Sequence, residues 1–148
     1  MSDTAPATAT PASPGLRLTA AVYDVLPLLG LWFVAAVIAL ALTGGALDVR
    51  RTADKVFVQL LVLAFSALYF VVSWTRGGQT IGMKPWRLRV VRGDGGALSL
   101  RQASIRFAVM LVSLAPAGLG FWWTLFEPRR RAWHDIAADT LVVRLDRT

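Results

Sequence analysis

The chain has 148 residues, 55% of them hydrophobic, with a mean hydropathy of +0.54 and a net charge of +7. A soluble domain of this length does not carry several long uncharged runs, so one integral membrane domain is expected, and the basic residues flanking those runs act as topology signals and contacts for anionic headgroups rather than as a nucleic-acid surface. The absence of cysteine and the presence of one histidine, His134, exclude thiol chemistry and a histidine-rich metal site, and no cofactor is expected.

Residues 1–15 are rich in Ala, Thr, Ser and Pro and are expected to form a disordered arm. The arm has no Lys or Arg, so it lacks the basic start of a signal peptide. A hydrophobic helix is predicted over Leu18–Thr43, because Val25 to Leu42 gives eighteen residues without a charge, close to the ~20 that cross a hydrocarbon core of ~30 Å. Asp24 stands just ahead of that run, and Arg17 lies seven residues earlier on the same helix face, about two turns away. A carboxylate at the bilayer centre costs roughly 2.5–3.5 kcal/mol on insertion scales, so Asp24 needs a partner or a task. Pro27 removes a backbone donor one turn further on and invites a kink.

After Gly44-Gly45 and a short polar loop, Val56–Trp74 forms a second span of nineteen residues. Its polar members are Gln59, Ser66 and Ser73. Ser66 and Ala67 permit close approach of another helix, while Tyr69 and Trp74 suit an interfacial belt. Thr75–Gln102 is a basic loop in which Trp86–Val91 is strand-like, Gly93–Gly96 reverses the chain, and Ala97–Ser99 returns alongside. A small cytoplasmic β-hairpin is expected there, to which Thr140–Arg144 could add.

Phe107–Phe126 is a third apolar segment, interrupted at Pro116–Gly120. Were it a full span, Lys and Arg would divide eight against eight across the membrane; were it to enter and return, they would divide thirteen against three. The second division is a positive-inside bias. Phe107–Ala115 reaches only about 14 Å as a helix, which also suits a re-entrant or deeply bent segment. Trp122 and Trp123 would equally serve a far-side belt. On the re-entrant path both termini are cytoplasmic.

Three features then stand together: Arg17 and Asp24 on the first helix, the turn Gly78-Gln79-Thr80-Ile81-Gly82 after the second, and the terminal stretch from Phe126 through Trp133-His134-Asp135 to Thr140. Residues 16 to 145 thereby resemble the RDD family of small bacterial membrane proteins, named for one arginine and two aspartates. By position these match Arg17, Asp24 and Asp135. Asp139 stands where the family usually has glycine. The resemblance implies a multi-pass inner-membrane protein proposed to take part in transport, with some members linked to sodium/proton exchange.

Each residue also has a plainer reading. Asp24 serves either as an ion or proton site or as a structural partner of Arg17 or Arg106. Arg17 and Arg106 read as interface anchors or as substrate clamps. Asp135 beside His134 could gate or relay protons, cap a short helix, or pair with Arg129–Arg131. Gly77–Gly82 is no phosphate loop, since Met83 occupies the lysine position. No nucleophile elbow accompanies His134, so no enzyme activity is expected.

The expected fold is therefore an all-α integral membrane protein with two firm spans and a third bent or re-entrant segment. The expected function is a small transport protein of the bacterial inner membrane, with cation/proton exchange as its chemistry. It would act as a homo-oligomer, because two or three helices cannot enclose a hydrophilic path. Arg17, Asp24 and Asp135 are the site residues, with Gln59, Arg106 and His134 supporting. The rival is a non-transporting accessory or scaffold that holds lipid headgroups or a membrane protein partner with its basic face.

Overall fold

A computed structural model describes residues 9–145 of the protein. In order, the elements are β1 (Thr10–Pro11), α1 (Pro14–Leu42), α2 (Thr52–Arg76), β2 (Leu88–Arg92), α3 (Leu100–Leu114), α4 (Leu119–Trp122), a 3-10 turn (Trp123–Leu125), α5 (Trp133–Ala137) and β3 (Thr140–Arg144). Helices α1 and α2 are long and apolar enough to cross a bilayer, and α3 meets the α4 segment at a bend of 109°.

Helix α1 starts earlier than Leu18 because its first turn is well capped. The Ser13 hydroxyl accepts from the Leu16 amide, and Pro14 supplies a helical φ where no donor is needed. Just upstream, β1 pairs antiparallel with β3, and the Ala12 amide donates to Val142 O at 2.9 Å. The arm expected to lack order through Gly15 is thus structured from Thr10; residues 1–8 lie outside the described residues. Composition could not reveal a strand partner at the other end of the chain.

Helices α1 and α2 pack through small residues. Ala35 and Ala39 are fully buried, and the Trp32 indole donates to Ser66 Oγ at 2.9 Å. The Ser66 hydroxyl in turn donates to Val62 O, so both of these polar groups in the apolar seam have partners. Elsewhere the spans present large apolar side chains such as Leu26 and Phe33 outward. That is the surface a lipid environment requires.

Helix α3 opens with a capping box: the Gln102 amide donates to Ser99 Oγ at 3.2 Å, and Gln102 Oε1 accepts from the Ser99 amide at 3.1 Å. Ala97–Ser99 is therefore a helix entry and not the return strand of a hairpin. The Gly93–Gly96 reversal is present, closed by Arg92 N to Gly96 O at 2.8 Å. The partner of β2 is instead β3, in register from Leu88 opposite Arg144 to Arg92 opposite Thr140.

Fifteen residues of α3 extend about 22 Å, short of a ~30 Å hydrocarbon core. The chain then turns through Ala117 and Gly118, both at positive φ. The sheet order β1-β3-β2 joins the start of α1, the α2–α3 loop and the C-terminal strand at one end of the helices. The third segment is consequently bent back, so that the chain regains the sheet end at β3. Beneath the sheet lies the core, where Leu88, Val90 and Val142 meet Trp74, Ala103 and Phe107. Trp74, expected in an interfacial belt, is buried in this core instead.

Candidate functional site

Asp135 sits at the centre of a buried ionic cluster. Arg17 from α1 meets its Oδ2 and Arg106 from α3 meets its Oδ1, while the Ala132 amide donates to Oδ2 at 2.8 Å. Arg106 Nη1 also donates to Thr140 Oγ1 at 2.9 Å, and Arg17 Nη1 to Arg130 O at 2.6 Å. The Arg106 guanidinium lies 4.8 Å from the Trp74 ring centroid. Asp135 is fully buried, and Arg17 and Arg106 are nearly so. Arg17 is thus no snorkelling anchor: it ties the first helix to the C-terminal segment.

Burial opposes the Asp135 charge, but the guanidinium groups of Arg106 and Arg17 outweigh it and hold the carboxyl well below its usual range. His134 responds in the opposite way. Burial, reinforced by the nearby Arg106, pushes its imidazole down to about 3, so the ring is neutral. Two guanidiniums and one carboxylate leave this centre with one surplus positive charge.

Asp24 belongs to a different shell. Its Oδ1 accepts from the Tyr69 hydroxyl at 2.6 Å and from the Gly82 amide at 2.8 Å, and its Oδ2 accepts from the Thr80 hydroxyl at 2.6 Å. Tyr69 in turn accepts from the Ile81 amide at 3.1 Å. The Gly78–Gly82 turn therefore exists to deliver donors to α1. At Gly82 a Cβ would stand 2.2 Å from Ala20 O and 2.8 Å from the Asp24 carboxyl carbon, so only glycine fits.

The expected set is thereby divided. Arg17, Arg106, His134 and Asp135 come together; Asp24 pairs with neither arginine; and Gln59 is exposed on α2, away from both shells. Asp135 caps α5 through Ala132, while Arg131 pairs with Glu127 rather than with Asp135. The spacing argument missed Tyr69, Thr80 and Thr140. For Thr80 a signal existed, since a glycine-bounded turn beside an aspartate needing donors is a natural source of them.

Asp139 adopts φ +51°. The position demands left-handed backbone, which aspartate tolerates better than most residues. Its carbonyl accepts from the Gly93 amide at 3.0 Å, locking the β2 turn to the end of α5.

The two shells border one cavity of about 340 Å³ between α1 and α3, backed by Phe70 and Trp74 of α2. Asp24, Arg17, Thr80, Arg106, Ser113 and His134 supply its polar lining, and most of the rest is apolar.

Neither a curated protein nor a solved structure matches the chain significantly. The model of the RDD family matches residues 11–139, a stretch that holds α1 through α5 with Arg17, Asp24 and Asp135 among its residues, and the chain belongs to that family of membrane proteins.

Proposed function

We propose that this protein is a small transport protein of the bacterial inner membrane, exchanging a cation for protons as a homo-oligomer, with Asp24 as the carrier. The observation that supports this reading is the company Asp24 keeps on the cavity wall. Two of its three partners, Tyr69 and Thr80, are hydroxyls, which can donate or accept. The Thr80 hydroxyl can rotate to accept a hydrogen bond from the carboxyl group once a proton arrives on it, so loading and unloading need no rearrangement of the backbone.

Asp135 has no such freedom, because guanidinium and amide groups only donate. Arg17, Arg106 and Asp135 accordingly form the fixed frame and Asp24 the working group. On the re-entrant path the thirteen-to-three division of Lys and Arg supports a cytoplasmic sheet end.

The experiment is reconstitution in liposomes with pH-driven cation flux as the readout. The native protein gives flux and Asp24→Asn abolishes it. Absent flux in both, or equal flux in both, removes the exchanger reading. The second reading, an accessory protein that holds anionic headgroups, rests on the exposed Lys84, Arg101, Arg129 and Arg144 at the sheet end. It is favoured if flux is absent while vesicle binding rises with anionic lipid.

A further inference from the structure

Three residues that line the cavity between α1 and α3 carry buried hydrogen-bonding nitrogens without a partner. Trp74 Nε1, Arg106 Nε and His134 Nδ1 are each buried and have no hydrogen-bond partner among the described residues. All three residues line this one cavity and are at least nine-tenths buried. Buried polar groups without partners are costly, and more so where no bulk water reaches. Trp74 and Arg106 can only donate, so what completes the site must accept.

The shape of the cavity narrows the choice. Leu18 on α1, Leu114 on α3 and Trp122 on α4 are exposed apolar residues on its lining, so its mouth faces the lipid side rather than water. Leu28, Met110 and Phe121 continue the apolar wall. Since a water molecule's share of liquid volume is about 30 Å³, a cavity of about 340 Å³ has room for on the order of ten non-hydrogen atoms. The volume also falls in the range of small-molecule sites.

Charge narrows it further. Two guanidiniums share the single carboxylate of Asp135, leaving one positive charge beside the unpartnered donors. The acid on the lining, Asp24, lies two turns along α1 from Arg17, about 10 Å down the helix axis, and is engaged by its own three donors.

We propose that this cavity binds a single-chain amphiphile with a carboxylate head, of the fatty-acid class. The head lies beside the Arg106 guanidinium, Trp74 and the neutral His134, and the chain leaves toward lipid past Leu28 and Phe121. The surplus charge of the Arg17–Asp135–Arg106 centre is neutralised by the incoming carboxylate. The site does not depend on Asp24 carrying anything, and it stands or falls separately from the transport reading.

The test uses the full chain in phosphatidylcholine vesicles, titrated with a dodecanoic acid brominated beside its carboxylate. Bromine quenches tryptophan at short range, and Trp74 reports from the cavity wall. The chain has no cysteine for the reagent to alkylate. Saturable quenching is expected from the acid, and binding at least about tenfold weaker from its methyl ester. Arg106→Gln removes the head contact but also breaks the ion cluster, so the decisive variant is Ala21→Phe. Ala21 lies on the cavity lining, is exposed, and is not part of the charged cluster. Filling the cavity from there abolishes the saturable component while the fold is kept. Equal quenching in native protein and Ala21→Phe, or by acid and ester, overturns the proposal. Relief of quenching by added phosphatidylglycerol reassigns the site to a phospholipid head and overturns the single-chain assignment.

Discussion

Asp135 keeps its charge in the interior only because two guanidiniums and a backbone amide meet it. Removing the carboxylate leaves two buried cations facing each other, and loss of one partner from a buried pair costs about 3–5 kcal/mol. Asp135→Asn should therefore unfold in detergent far below the native temperature, whereas Arg131→Gln, which touches the partly buried Glu127 pair outside the central cluster, shifts the midpoint less. His134 adds a pH signature. In the unfolded chain its imidazole takes up a proton near pH 6.5, but in the folded protein only near 3. Between those values the unfolded state binds more protons, so stability falls as pH falls. Asp135, depressed below its ordinary 3.8, contributes in the same direction only under more acid conditions. Thermal midpoints should drop from about pH 7 to about pH 4, and His134→Asn should flatten that drop. The identities of Arg17, Asp24 and Asp135 were legible from the ordered motifs. Their pairing was not, because Arg17 and Asp24 share a helix face while the true partner of Arg17 lies 118 residues away.

At the scale of elements, apolar run length located both spans; α1 starts four residues earlier behind the Ser13 cap, and α2 runs past its apolar stretch at both ends, from Thr52 to Arg76. The hairpin expectation failed at Ser99-x-x-Gln102, whose capping-box spacing is visible in the sequence and outweighs three strand-like residues. The bend of the third segment was legible from Pro116–Gly120, and the sheet supplies its mechanical cause: β3 must reach β2. Single cysteines are informative here because the background is cysteine-free. Asp94→Cys and Arg129→Cys, both at exposed positions, should label from one side of the membrane and Ala46→Cys from the other. Labelling of Arg129→Cys with Ala46→Cys from a shared side contradicts the re-entrant path. A finer test lies at Asp139, where left-handed backbone penalises a Cβ. Asp139→Ala should fall about 1 kcal/mol below Asp139→Gly in stability.

The whole molecule has its polar shells, sheet and core gathered at one end, while the opposite half of α1 and α2 is a two-helix stalk. Such a stalk cannot enclose a path for ions, because a polar group on it faces hydrocarbon. Gln59 is that case: an amide on the stalk portion of α2, exposed in the isolated chain. Hydrocarbon gives it no partner, whereas the same amide on a second copy does, and interhelical pairs of this kind contribute about 0.6–2 kcal/mol. If the protein assembles as transport requires, α2 is the face that meets its copy. Gln59→Cys should then form a crosslinked dimer on mild oxidation in membranes, and Asp48→Cys, exposed in the α1–α2 loop, should do so less. Gln59→Leu should shift the detergent-solubilised protein toward monomer and lower flux in proportion, with its thermal midpoint unchanged because no contact within the chain is lost. A Gln59→Leu protein with native assembly and native flux would falsify this placement of the interface and leave the ion path to a different face.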